Sequence, residues 1–120
     1  MWREASDAVL DMLQACDEVL DFASGIDAGK IGNDLLRLRA IERSLAILGE
    51  AAKRVPDDIR DRHPDVPWRS ASGLRDVLVH DDFGIDVDIL AQVIAEELPA
   101  MRAKLAALIL AEGWTRSAPR

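Results

Sequence analysis

Tyrosine is absent from the 120 residues, and the only aromatic side chains are Trp2, Phe22, Trp68, Phe83 and Trp114. Any core therefore rests on aliphatic residues, which are plentiful because 49% of the chain is apolar. Such a Leu- and Ala-rich mixture favours helix on intrinsic propensity. The single cysteine, Cys16, excludes an internal disulfide and a cysteine-based zinc cluster. Among apolar neighbours it reads as a small buried hydrophobe. Histidine occurs only at positions 63 and 80. No window approaches eighteen uninterrupted apolar residues and no signal-peptide pattern opens the chain, so the expectations are no membrane span and a cytoplasmic location.

Net positive charge is also missing: the formal charge is −7, which argues at first sight against a nucleic-acid partner. The distribution is uneven, however. Residues 30–80 hold 10 of the 15 basic and 8 of the 22 acidic residues, and the flanks hold 5 basic and 14 acidic. A basic middle on an acidic chain is what a phosphate-facing surface requires, although mixed solvated faces produce the same bias.

Apolar periodicity organises the chain into helices. Val9, Leu10, Leu13, Cys16, Val19, Leu20 and Ala23 recur at three- and four-residue spacings, predicting an amphipathic helix over residues 3–23. Three glycines in residues 24–32 predict a loop. Asn33 is the expected N-cap of a second helix reaching Val55, with Leu35, Leu38, Ile41, Leu45, Leu48 and Ala52 as its buried stripe. Pro56 starts a short helical piece to Arg62, closed by His63-Pro64. Pro67-Trp68 opens a third long helix to His80, within which Gly73 is expected to permit close helix approach. Asp86 or Asp88 caps the last helix, where Pro99 predicts a kink. The expected fold is an all-α, up-and-down bundle of four principal helices plus a short one, spanning residues 1–112 with a tail at 113–120.

Candidate chemistry concentrates at Arg75, Asp76 and His80, followed by Asp81, Asp82 and Phe83. Cutting an RNA backbone without a metal needs a base for the 2′-hydroxyl, an acid for the leaving oxygen and a cation for the crowded phosphate. Histidine titrates near neutrality, and arginine offers a charged fork matched to phosphate oxygens. On an ideal helix, residues five apart stand about 140° apart around the axis, whereas Asp76 and His80, four apart, share a face. A working site therefore needs the helix to end near His80, or a second chain to bring matching groups across an interface. Two histidines acting as acid and base would have to come from two subunits of a symmetric dimer.

The run His80-Asp81-Asp82 with Asp86 and Asp88 has the ligand types of a cation site, but capping accounts for Asp86 or Asp88 and ligand type alone fixes no geometry. No metal or cofactor is called for. His63 reads as a structural or surface residue and Trp68 as a hydrophobic anchor. Glu50 is either a contact for Arg75 or a solvated helix residue.

An ordered set of segments resembles the HepT-like branch of the HEPN superfamily, whose mark is Arg-x4-His followed by x-Tyr. The set comprises residues 47–54 (ILGEAAKR), 63–69 (HPDVPWR), 73–80 (GLRDVLVH), 83–86 (FGID) and 97–99 (ELP). The resemblance implies a helical homodimer with two motifs in a shared cleft. It further implies a metal-independent endoribonuclease acting on RNA as the toxin of a toxin–antitoxin pair. Its partner would be a minimal nucleotidyltransferase antitoxin that attaches AMP to the motif tyrosine. By match, Arg75 and His80 are catalytic, Asp76 takes the polar position after the arginine, and Glu50 is a possible support. The tyrosine position holds Asp82, so tyrosine AMPylation has no acceptor in this chain. A carboxylate there implies weakened activity. The alternatives are a non-catalytic HEPN protein that binds the nucleotidyltransferase, a nucleotide or RNA, and a purely structural dimer.

Overall fold

A computed structural model describes residues 2–80 and 84–114; of these, the side chains of residues 2–4, 28, 75, 77–80 and 84–85 are not described. Helix α1 spans Trp2–Phe22, a short 3₁₀ turn covers Ala28–Asn33, and α2 spans Leu35–Arg54. After α3 (Asp57–Arg62) comes α4 (Trp68–Leu78). Residues Val79–His80 (β1) pair antiparallel with Gly84–Ile85 (β2), with His80 opposite Gly84. The chain finishes in α5 (Val87–Gln92), a π-turn over Val93–Glu97, and α6 (Leu98–Glu112). Counting the last three as one rod gives the four principal helices and one short helix that the periodicity predicts. The architecture is all-α, and the two-residue pairing is too short to form a layer. No described helix is long and apolar enough to cross a membrane.

Helix α1 is the hub, packing on α2 and α6, while α2 packs on α4. Its buried row is Ala5, Ala8, Val9, Met12, Ala15, Cys16 and Val19, so small alanines let its neighbours approach. Burial pushes the Cys16 thiol up to about 12, with the Asp17 carboxylate adding to the shift. It is inert core packing.

Each helix end has a specific partner. Asp34, not Asn33, caps α2, its carboxylate accepting from the Arg37 N–H at 3.1 Å. Leu35 lies six residues before Ile41, which puts it about 120° around the helix from that buried side chain. Leu35 is accordingly 61% exposed and leaves the stripe to which its spacing assigned it. The Arg37 guanidinium donates to the Phe22 and Ser24 carbonyls at 3.1 and 2.6 Å, closing the end of α1. Arg60 does the same for α2 through the Val55 and Ala52 carbonyls. Part of the basic excess in residues 30–80 thus satisfies free carbonyls. Asp86 caps α5 by accepting from the Asp88 and Ile89 N–H groups. Gly113, in the left-handed region at φ 73°, closes α6 with bonds from residues 113 and 114 to the Leu110 and Ile109 carbonyls.

The disturbance expected at Pro99 appears one turn earlier as the π-turn. The Leu98 N–H reaches back five residues to the Val93 carbonyl. Pro99 has no N–H to offer the preceding turn. The buried residues Leu90, Val93, Leu98, Met101, Leu105 and Leu108 contain one five-residue step, which a regular α-helix would rotate off the core by about 140°. The wider turn keeps the two halves of this row in phase.

Gly49, rather than Gly73, sets the closest helix approach. A Cβ at position 49 would meet the Ser72 carbonyl oxygen at 3.2 Å, whereas one at position 73 meets nothing described within 4 Å. Gly49→Ala is therefore expected to push α4 from α2 and cost about 1–3 kcal/mol in urea unfolding. Gly73→Ala should be neutral or stabilising, because it improves helix propensity.

Candidate active site

Helix α4 carries the motif, and its position is determined at its start. Trp68 is buried at the first turn, and its indole N–H donates to the His63 carbonyl at 3.0 Å. Three residues on, Ala71 is buried, and Ser72 lies against Gly49. Arg75 and Asp76 follow in the last turn. The helix then stops at Leu78, two residues short of the expected end at His80. His80 sits on extended backbone paired with Gly84. The helix-face argument that separates Arg75 from His80 by about 140° accordingly does not apply, and neither does the shared face expected of Asp76 and His80. Asp82, the tyrosine-equivalent position, lies outside the described residues, and so does Asp81.

Glu50 and Asp76, two of the candidate residues, do come together. They line a small cleft of about 60 Å³ between α2 and α4, with Lys53, Gly49, Ala46 and Ser72. Glu50 is exposed and stands 3.8 Å from the Lys53 ammonium. Asp76 is exposed as well. Two carboxylates and one ammonium thus share the groove beside the Arg75 turn. The cleft shows Lys53 and Ser72 as neighbours of the motif that the sequence does not single out. Lys53 stands four residues after Gly49, and Ser72 four before Asp76, so both follow from helix geometry once the contact is known.

The second histidine is committed elsewhere. His63 closes α3, and its Nε2 lies 2.7 Å from Glu112 Oε2. Arg62 donates twice to the same carboxylate, at 3.2 and 2.9 Å. Hydrogen bonds from Arg62 and then His63 hold the Glu112 carboxyl below its usual 4.5. A carboxylate depressed in the folded state stabilises at pH values above its unfolded pKa, and the gain is lost as pH falls through the folded value. Glu112→Gln is expected to melt lower than the parent at pH 7, with the two melting curves converging as pH drops below about 4.

The HepT-like model (ribonuclease HepT-like) matches residues 12–108, a span that includes α2, the cleft, α4 and the Arg75–His80 segment. The chain belongs to the HepT-like ribonuclease family. A protein of Thermococcus cleftensis named Probable ribonuclease HepT is 34% identical over 104 residues, covering 87% of this chain and 94% of the relative. A protein of Methanocaldococcus jannaschii named Putative RNase is 33% identical over 100 residues, covering 83% and 92% of the two chains. Another of that printed name, from Caldanaerobacter subterraneus subsp. tengcongensis, is 34% identical over 101 residues, 84% of this chain and 90% of its own. No solved structure matches the chain at a significant level.

Proposed function

We propose that the chain is a metal-independent endoribonuclease, the toxin of a toxin–antitoxin pair, cutting RNA at an Arg-x4-His site shared by two copies. One observation carries this reading. Helix α4 ends at Leu78, so His80 leaves the helical register that would hold it away from Arg75. Membership of the family and the relatives named as RNases support it. In this scheme His80 of one copy takes the proton of the 2′-hydroxyl as the 2′ oxygen attacks phosphorus. The protonated His80 of the other copy gives its proton to the departing 5′ oxygen. Arg75 clamps the phosphate, and Asp76 takes the polar position that follows it. The antitoxin would be a minimal nucleotidyltransferase, acting here without a tyrosine to modify.

The test is cleavage of RNA by the purified chain in EDTA, beside Arg75→Ala prepared identically. Cleavage by the parent and its loss in the variant support the reading. A folded dimer that cuts nothing overturns it. A second reading is favoured by Asp82 in the tyrosine position: a non-catalytic member that holds the nucleotidyltransferase, a nucleotide or RNA in the same cleft. It predicts a silent parent chain that still binds its partner after His80→Ala.

A further inference from the structure

Helix α2 is basic on a chain of net charge −7: it carries five Lys or Arg residues against two acidic ones. Arg37 is occupied in capping α1, and Arg54 pairs with Asp11 at 3.1 Å. Arg39 is exposed and donates to the Glu42 carboxylate at 2.5 Å, an ion pair on the surface that a phosphate would have to share. Arg43 is exposed and has no ion-pair partner among the described residues. On the same outward face Leu36 is 83% exposed. Leu36 walls a cavity of about 370 Å³ together with Phe22 and Ala40, and Asp21, Ser24 and Arg37 complete the lining.

Leu36, Ala40 and Arg43 follow one another at four- and three-residue spacings, so the cavity and the unpaired guanidinium lie along one row of the helix. The rise between Leu36 and Arg43 is about 10 Å, and between Arg39 and Arg43 about 6 Å. An apolar cavity with an aromatic wall adjoins two exposed arginines.

We infer that this face of α2 binds single-stranded RNA, with the backbone on Arg39 and Arg43 and one base in the Phe22–Leu36 cavity. The inference rests on the ribonuclease reading and adds a substrate subsite to it. Guanidinium forks match phosphate oxygens, and an unstacked base gains by packing on an aromatic or aliphatic surface. The cavity volume lies in the range of sites for small organic groups. Asp21 and Ser24 are the polar residues of the lining from which a base edge could draw a hydrogen bond. A docked amphipathic helix would want large apolar side chains repeating along the row, whereas Leu36 is followed by Ala40 and Arg43.

The experiment uses the full chain and a fluorescein-labelled, uncleavable 2′-O-methyl oligoribonucleotide, read by anisotropy. Leu36→Asp and Arg43→Gln are compared with the parent, and both variants are checked for unchanged circular dichroism and melting. Leu36→Asp is expected to weaken binding about tenfold or more. Arg43→Gln should reduce the salt dependence of log K by about 0.7, the share of one phosphate contact on a single strand. A parent that binds no RNA, or two variants within twofold of the parent, overturns the inference. Leu36→Asp that instead halves the sedimenting mass, with RNA affinity unchanged in Arg43→Gln, assigns the face to a second copy and also overturns it. Weakened binding in a chain that cleaves nothing upholds the subsite and sinks the catalytic reading. Cleavage that needs Arg75, with both α2 variants binding normally, does the reverse.

Discussion

His80→Ala is expected to slow RNA cleavage in EDTA by about 10²- to 10⁴-fold, the range supplied by a positioned acid or base. The loss should be in the chemical step, measured in single-turnover experiments with the chain in excess over RNA. His80 is the only imidazole near the motif, because His63 is bound to Glu112 at 2.7 Å at the far end of α3. His63→Ala serves as the contrast: it should lower stability through the loss of that bond and leave the pH dependence of cleavage in place. If two copies of His80 act as base and acid, the parent's rate follows a bell-shaped pH curve, with one limb for each protonation state. His80→Ala with the parent's rate would place the proton transfers on other groups. It would leave Arg75 as a binding residue only.

Leu48→Ala is expected to cost about 2–5 kcal/mol, since it removes a fully buried side chain from the middle of α2 and leaves a cavity. A chain of this size has roughly 5–15 kcal/mol in total, so the change is a large share of it. Urea unfolding should show a lower midpoint at an unchanged slope. Leu35→Ala is the matched control on the same helix. Leu35 is largely exposed, and its truncation should shift stability by less than about 0.5 kcal/mol. The pair measures the difference between the buried and the open side of α2, which apolar spacing alone does not separate because it puts both leucines in one stripe.

That pair also shows how far the sequence carries. Periods of three and four between Val9 and Val19, and between Ile41 and Ala52, specify which faces of α1 and α2 are buried. Proline and aspartate mark the helix ends to within a residue or two. The choice between Asn33 and Asp34 as cap is invisible in a linear reading, because both are good caps and only the first-turn geometry separates them. Gly49 and Gly73 both sit within helices, and only the crossing of α2 with α4 decides which one needs to lack a Cβ. At the candidate site, the sequence supplies the residue types of Arg75, Asp76, His80 and Asp82 and their family resemblance. It does not show that the helix stops at Leu78, since Val77 to His80 continues a helical-looking apolar run. Glu50 and Asp76 are 26 positions apart, and their shared cleft with Lys53 depends on tertiary packing. Glu112 looks like the edge of a tail, yet it is the acceptor joining Arg62 and His63 to the last helix.

The π-turn at Val93–Glu97 makes the last helix one residue longer than its packing needs. The surplus residue is taken up as a local bulge without breaking the helix. Deleting one exposed residue there, such as Glu96, should let the segment revert to a regular α-helix while Leu90 and Leu98 keep their places in the core. Length in this rod can therefore change by one residue without a loop to accommodate it.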